Sequence, residues 1–164
     1  MKILSILFIS LFSVSVFAQS NTMGSLHNIA GKGHYGYGDY KTAIEEFKKA
    51  AELDDADGQY NLGSMYFKGQ GTTQDYKAAI HWYTKSAEQG HANAQYNLGD
   101  MYLKGQGDTK DYTRAYMWWE IAASQGDEKA EMNSEKNQEL LTPSQLEKVQ
   151  LLARECMASN YKNC

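Results

Sequence analysis

The chain has 164 residues, with 16 Lys and Arg against 20 Asp and Glu, for a net charge of −4. That length suits one domain. An acidic chain without a basic stripe argues against nucleic acid and against electrostatic adhesion to anionic lipid.

The chain opens with a targeting segment. Lys2 supplies a short positive region, Ile3 to Phe17 is mostly apolar, and Val16-Phe17-Ala18 ends on a small residue. This pattern predicts a signal peptide over residues 1–18, cut after Ala18. The apolar run is shorter than the about 20 residues a spanning helix needs, so no retained anchor is expected. No cysteine follows the cut, so no lipid-modified terminus is expected either. The mature chain, Gln19–Cys164, then carries 15 basic and 20 acidic residues, a net charge of −5. Its expected place is the bacterial periplasm or the medium.

Residues 20–38 are rich in glycine (Gly24, Gly31, Gly33, Gly36 and Gly38). The run Gly33–Gly38 follows no strand pattern and lacks a trailing Lys-Ser/Thr. It reads as a turn rather than a phosphate cradle. Asp39-Tyr40 then stands 36 residues before Asp75-Tyr76 and 72 before Asp111-Tyr112. Ala43, Phe47 and Ala51 fall in register with Ala79, Tyr83 and Ala87. Residues 39–53 are thus the second helix of a degenerate unit over 19–54. Its first helix is expected within about 22–32, short and frayed.

Residues 55–90 and 91–126 are one 36-residue unit written twice, with 20 identical positions. A fixed period of about 20–50 residues is the signature of a solenoid, whose units bury their apolar faces only against neighbours. The leading stretch 57–68 places Leu62, Met65 and Tyr66 at helical spacing. Gly63 and its twin Gly99 sit inside that helix, where glycine costs up to about 1 kcal/mol relative to Ala, so a close neighbour is expected there. Gly69-Gln70-Gly71, copied as Gly105-Gln106-Gly107, ends the helix and turns the chain. Asp75 and Asp111 are N-caps of the second helices. Their faces run Tyr76, Ala79, Ile80, Tyr83, Ala87 and Tyr112, Ala115, Tyr116, Trp119, Ala123.

After Gly126 the pattern degrades over 127–164. Residues 127–140 are polar with helical composition, the first helix of a last unit. Thr142 as N-cap, Pro143 at the first position and Gln145 in a capping box start a final helix. Leu146, Val149, Leu152, Ala153, Cys156 and Met157 form its expected buried stripe, and it caps the array. Cys156 and Cys164 are the only cysteines. In an oxidising compartment they read as a disulfide. Eight residues of helix would hold them ~12 Å apart, beyond the ~7 Å limit. A bridge therefore requires the chain to leave the helix near Ser159-Asn160 and fold back.

The motif A-x-A-Q-Y-N-L-G-x-M-Y-x-x-G-x-G at 92–107, D-Y-x-x-A at 111–115, W-W at 118–119 and A-x-Q-G at 123–126 resembles the Sel1-like repeat, a relative of the tetratricopeptide repeat. The copy at 56–90 matches nearly as well, and 38–53 looks more like an ordinary tetratricopeptide repeat. The start Leu141-Thr142-Pro143 and the run Leu152-Ala153-Arg154-Glu155 are similar to the ends of many such proteins. The resemblance implies an all-α, right-handed α-solenoid of helix pairs with a C-terminal capping helix. It implies that the first helices line a concave groove. That puts Tyr60, Asn61, Ser64, Phe67 and Lys68 there, with Tyr96, Asn97, Asp100, Leu103 and Lys104 one unit on. Paired asparagines suit a peptide backbone and paired lysines a carboxylate. The alternative is that Asn61 and Asn97 satisfy backbone groups between repeats.

The resemblance further implies a non-enzymatic module that binds a protein or peptide, as an adaptor or as an immunity protein against a secreted toxin. Two alternatives are a β-lactamase-like or penicillin-binding activity, as in cysteine-rich relatives, and a cell-envelope glycan binder. The repeats here lack those relatives' cysteines. Ser159-Asn160-Tyr161-Lys162 fits S-x-x-K but has no K-T-G partner. Neither G-x-S-x-G nor H-E-x-x-H occurs. His27, His34, His81 and His91 have no metal-ligand spacing. No catalytic residue, metal or cofactor is therefore expected. Most of the 12 tyrosines and 3 tryptophans stand at repeat positions, so core packing is their expected role.

Overall fold

A computed structural model describes Gln19, residues 21–162 and Cys164. The expected signal peptide lies outside these residues. The described chain is helical throughout. A first helix α1 covers residues 21–36. It is followed by α2 (Tyr40–Glu52), α3 (Ala56–Lys68), α4 (Tyr76–Ala87), α5 (Ala92–Lys104), α6 (Tyr112–Ala123), α7 (Glu128–Asn137), a 3-10 turn (Gln138–Leu140) and α8 (Pro143–Ala158). Consecutive helices from α2 to α7 pack on one another, and α8 folds back against α6.

Each start has a local cause. Asp39, Asp75 and Asp111 accept the N–H of Thr42, Ala78 and Arg114, which frees none of those first-turn donors into the apolar interior. Asp55 and Asp127 do the same for α3 and α7. Thr142 and Gln145 form the reciprocal capping box at α8, with Pro143 at the first position.

Three recurrent contacts hold the helices of each unit, and the units, together. In the first, an aromatic ring lies on a helical glycine: Phe47 on Gly31, Tyr83 on Gly63 and Trp119 on Gly99. The close neighbour expected at Gly63 and Gly99 is thus a ring from the paired helix. In the second, the turn glycine Gly71 sits on the Tyr40 carbonyl, and Gly107 on the backbone of Tyr76. In the third, a fully buried glutamine joins neighbouring units. Gln59 donates to the Ala51 carbonyl and accepts from Gln89, and Gln95 donates to the Ala87 carbonyl and accepts from Gln125 at 2.6 Å. Without these bonds, a buried amide would cost several kcal/mol, about 1–3 per unsatisfied group.

Four sequence expectations change. The first helix is neither short nor frayed. It runs on to residue 36, because Gly31 admits the Phe47 ring and Asn28 is buried at 4% exposure against α3. Residues 33–36 of the glycine run belong to it, and only Tyr37-Gly38 turns. Tyr112 is 39% exposed, like Tyr40 at 36%, although their counterpart Tyr76 is half-buried. Leu152 is likewise 39% exposed and off the buried stripe of α8, which is Val149, Ala153 and Cys156 with Leu146 and Met157 half-buried.

Helix α6 is the centre of the core. Tyr116, Met117, Trp118, Trp119, Ile121 and Ala122 are all buried, because α5, α7 and α8 cover it from three sides. At the C-terminus the chain leaves α8 at Ser159 and turns through Asn160 and Tyr161, both at positive φ. That reversal brings Cys156 and Cys164 to a Cα separation of 5.2 Å, where they form a disulfide. The Tyr161 ring then lies over Gly90 and ties the tail to the α4–α5 turn.

Candidate functional site

Positions 60, 64, 67 and 68 share one face of α3, and 96, 100, 103 and 104 share the matching face of α5, by the 3.6-residue period. Three cavities run in a row along these faces. The first, about 250 Å³, lies between α1 and α3 and is lined by Lys32, Tyr35, Asn61 and Lys68 among others. The second, about 320 Å³, lies between α3 and α5, with Ser64, Phe67, Lys68, Asn97, Asp100 and Lys104 on its walls and Tyr83, Met101 and Gln106 beside them. The third, about 450 Å³, opens between α5 and the start of α7, lined by Tyr96, Asn97, Asp127 and Lys129. Tyr60 borders all three.

Nine of the ten residues expected in the groove line one of these cavities. Leu103 does not, and is half-buried against the core. Tyr35, Tyr83, Met101 and Gln106 were not anticipated there. A glutamine stands in both copies of the Gly-Gln-Gly turn, Gln70 and Gln106, and that identity was the available signal.

The polar groups of the groove are partly tied to each other. Asn61 donates its amide to Asn28 of the preceding unit at 2.8 Å. One unit on, the Tyr83 hydroxyl lies 3.0 Å from Ser64 and also bonds Asn97. A further unit on, Asn133 donates to Asp100 at 3.1 Å, and Asp100 also takes the Lys104 ammonium at 3.1 Å. These bonds step from unit to unit, so the side chains stand pre-set along the face. Lys68 is exposed at the rim.

Burial pushes the Tyr83 phenol up to about 12. Burial, and the Asp100 charge after it, also raise Tyr96. Both phenols are therefore neutral hydroxyls in use, suited to hydrogen bonding rather than to nucleophilic attack. Among the described residues no group of three or more His, Cys, Asp or Glu is placed to hold a metal ion.

His91 joins two units at the groove edge. Its Nδ1 accepts the Ala94 N–H as the N-cap of α5, its Nε2 lies 3.2 Å from Asp57, and its ring stacks on Tyr60 at 4.5 Å. Burial holds its pKa below the ordinary histidine value, against an opposing pull from Asp57. The folded pKa is thus below the unfolded one. The unfolded chain takes up the proton first, so stability rises with pH across the interval between the two. The contribution is complete above about pH 6.5, the ordinary histidine value, and is lost as pH falls through the lower folded value. In urea melts between pH 7.5 and 5.5, wild type is expected to lose more stability than His91→Asn, whose amide caps without titrating. Equal losses would show that His91 does not carry the effect.

The profile of the Sel1 repeat matches three times, at residues 26–55, 56–91 and 92–127. The chain belongs to the Sel1-repeat family. Solved structures of that fold match along the array. A protective antigen of uropathogenic Escherichia coli strains displaying an SLR fold is 28% identical with a TM-score of 0.79, over 84% of this chain and 31% of that one. A Sel1 repeat protein from Oxalobacter formigenes is 35% identical with a TM-score of 0.65, over 71% and 49%. The Helicobacter pylori cysteine rich protein B is 27% identical with a TM-score of 0.52, over 54% and 66%. The chain thus spans about a third of the first and half of the second. No match to a curated protein was found. The Sel1-repeat fold is generally a protein–protein interaction scaffold, and its repeats typically bind protein partners.

The S-x-x-K run of this Sel1-repeat chain sits at the disulfide end. Ser159 and Lys162 border a cavity of about 260 Å³ with Glu155 and Met117. The Ser159 hydroxyl is directed onto the carbonyls of Cys156 and Lys162, as a helix-end group is. Among the described residues no helix is long and apolar enough to cross a membrane.

Proposed function

We propose that this protein is an exported, non-catalytic binding module that holds a partner polypeptide in the groove along α3 and α5. The observation that carries the reading is the row of three cavities along repeat-equivalent faces, bordered by unit-to-unit amide and hydroxyl groups. Such spacing matches an extended chain, whose backbone meets a polar side chain at each unit. The partner is a secreted toxin or an envelope protein, and the module serves as an adaptor or immunity factor in the periplasm or outside the cell. The leader pattern and the disulfide support the exported setting, as does the likeness to a protein described as a protective antigen.

The test is affinity capture from the native envelope with residues 19–164 as bait. Asn61 is a poor choice of control, because its removal strands the buried Asn28. Lys68→Glu combined with Asn97→Ala leaves the buried hydrophobic core untouched and alters all three cavities. A specific partner is expected to bind the double variant at least tenfold more weakly, the loss typical of a central contact pair. The groove reading fails when a partner binds both baits equally and both are equally helical by circular dichroism.

A further inference from the structure

The Gly-Gln-Gly turns carry two glutamines in equivalent places with unequal partners. Gln70 accepts a hydrogen bond from the Tyr35 hydroxyl at 3.1 Å. Phe67 occupies the place of Tyr35 in the next unit. Tyr35 packs on Tyr40 at 5.2 Å, and Phe67 packs on Tyr76, the residue 36 positions after Tyr40, at 5.4 Å. The phenylalanine lacks the hydroxyl. Gln106 Oε1 is accordingly buried with no hydrogen-bond partner among the described residues. A buried acceptor left alone costs about 1–3 kcal/mol, and the great majority of such atoms are satisfied. Phe67 and Gln106 both line the cavity of about 320 Å³ between α3 and α5.

We infer that this cavity is a specificity pocket for a tyrosine side chain of the bound polypeptide, whose phenol O–H donates to Gln106 Oε1. Three features select that chemistry. An acceptor oxygen demands a donor, which excludes carboxylates and phosphates at that point. Asp100 also borders the space but is paired with Lys104 at 3.1 Å, which leaves Lys68 as the uncompensated charge there and disfavours an ammonium. The rings of Tyr60, Phe67 and Tyr83 with the Met101 thioether suit a flat apolar body with a polar tip. The chain itself shows the bond it lacks, since the preceding unit makes it with its own tyrosine.

The inference rests on the groove reading and deepens it. It is tested by titrating the isotope-labelled 19–164 chain with N-acetyl-tyrosinamide and N-acetyl-phenylalaninamide, following the Gln106 side-chain amide and the Met101 methyl by NMR. Millimolar binding is expected of ligands this small. The tyrosine amide is expected to bind about tenfold more tightly, the ratio one net hydrogen bond sustains. Phe67→Tyr supplies the hydroxyl from within. That variant is expected to melt at a higher temperature and to lose the preference for the tyrosine amide. Equal binding of the two amides, undisturbed signals at Gln106 and Met101, or a lowered melting temperature of Phe67→Tyr would each overturn the inference. A captured partner released by Lys68→Glu/Asn97→Ala but indifferent to Phe67→Tyr would overturn this inference alone. A partner indifferent to all three substitutions would remove the groove reading with it.

Discussion

Gly71→Ala is expected to cost the fold about 3–5 kcal/mol, and Gly126→Ala only about 1–2 kcal/mol. Both glycines adopt positive φ, +72° and +90° respectively, so both substitutions carry the same backbone strain. What differs is the space. A Cβ at Gly126 meets nothing within 4 Å. A Cβ at Gly71 overlaps the Tyr40 carbonyl oxygen, and the next atom it meets is the Tyr40 carbonyl carbon. Those atoms belong to the first turn of α2, which is fixed by the Asp39 cap, so they cannot retreat as a flexible side chain would. The only relief is to draw one unit away from the other. Since each unit is stabilised by its neighbours, that loss also lowers cooperativity, and the slope of a urea melt should fall along with its midpoint. Gly107→Ala should behave as Gly71→Ala does, because its Cβ would lie 2.7 Å from the Tyr76 carbonyl carbon. Similar costs at positions 71 and 126 would show that the turn glycines serve only to reverse the chain.

That pair of glycines marks how far the sequence was legible. Their positive φ follows from the motif, and so do the caps at Asp39, Asp75, Asp111 and Thr142, because these are local effects within a few residues. The docking of Gly71 on Tyr40 is not local, and no spacing rule points 31 residues back to a carbonyl. The same limit explains the first helix. Gly31 is equivalent to Gly63, 32 residues later rather than 36, because the loop between α1 and α2 is four residues shorter. A search at the fixed period therefore misses Asn28, Gly31 and Tyr35. The groove was legible in outline, since helical periodicity places side chains on a face. Its hydrogen bonds were not. Whether Asn61 meets a ligand or Asn28, and whether Gln106 has a donor, depends on side chains one unit away. The glutamines Gln59 and Gln95 were visible as identities in both copies, yet their bonding to the Ala51 and Ala87 carbonyls of the preceding unit needed the stacked units.

Trp119→Ala is expected to cost about 3–5 kcal/mol, the range for an aromatic removed from a closed core. The ring is 1% exposed, belongs to the larger of the two buried clusters and lies against α5 at Gly99. The position runs Phe47, Tyr83, Trp119 through the three units, and each ring faces a helical glycine. At Gly99 the fit is tight enough that an added Cβ would overlap the indole Nε1 and Cδ1. Gly99→Ala alone should therefore destabilise by about 1–3 kcal/mol, despite the gain of up to about 1 kcal/mol in helix propensity. The two effects are one contact seen from both sides, so they should not add. The indole N–H is also buried without an acceptor among the described residues, so Trp119→Phe removes an unpaired donor as well as volume. In the Trp119→Ala background, Gly99→Ala is expected to be neutral or stabilising, because the ring that the new methyl would meet is gone; phenylalanine would not suffice, since Phe47 in the first unit still closes on Gly31. A coupling of about 1–3 kcal/mol in this double-mutant cycle would establish the aromatic-on-glycine contact as the joint between the helices of a unit. Additive costs would mean that Gly99 is required for another reason. Because α5 also carries Asn97, Asp100 and Lys104, a ring that holds α5 against α6 sets the depth of the cavity between α3 and α5. Trp119→Phe should then weaken partner capture even where the chain remains fully folded.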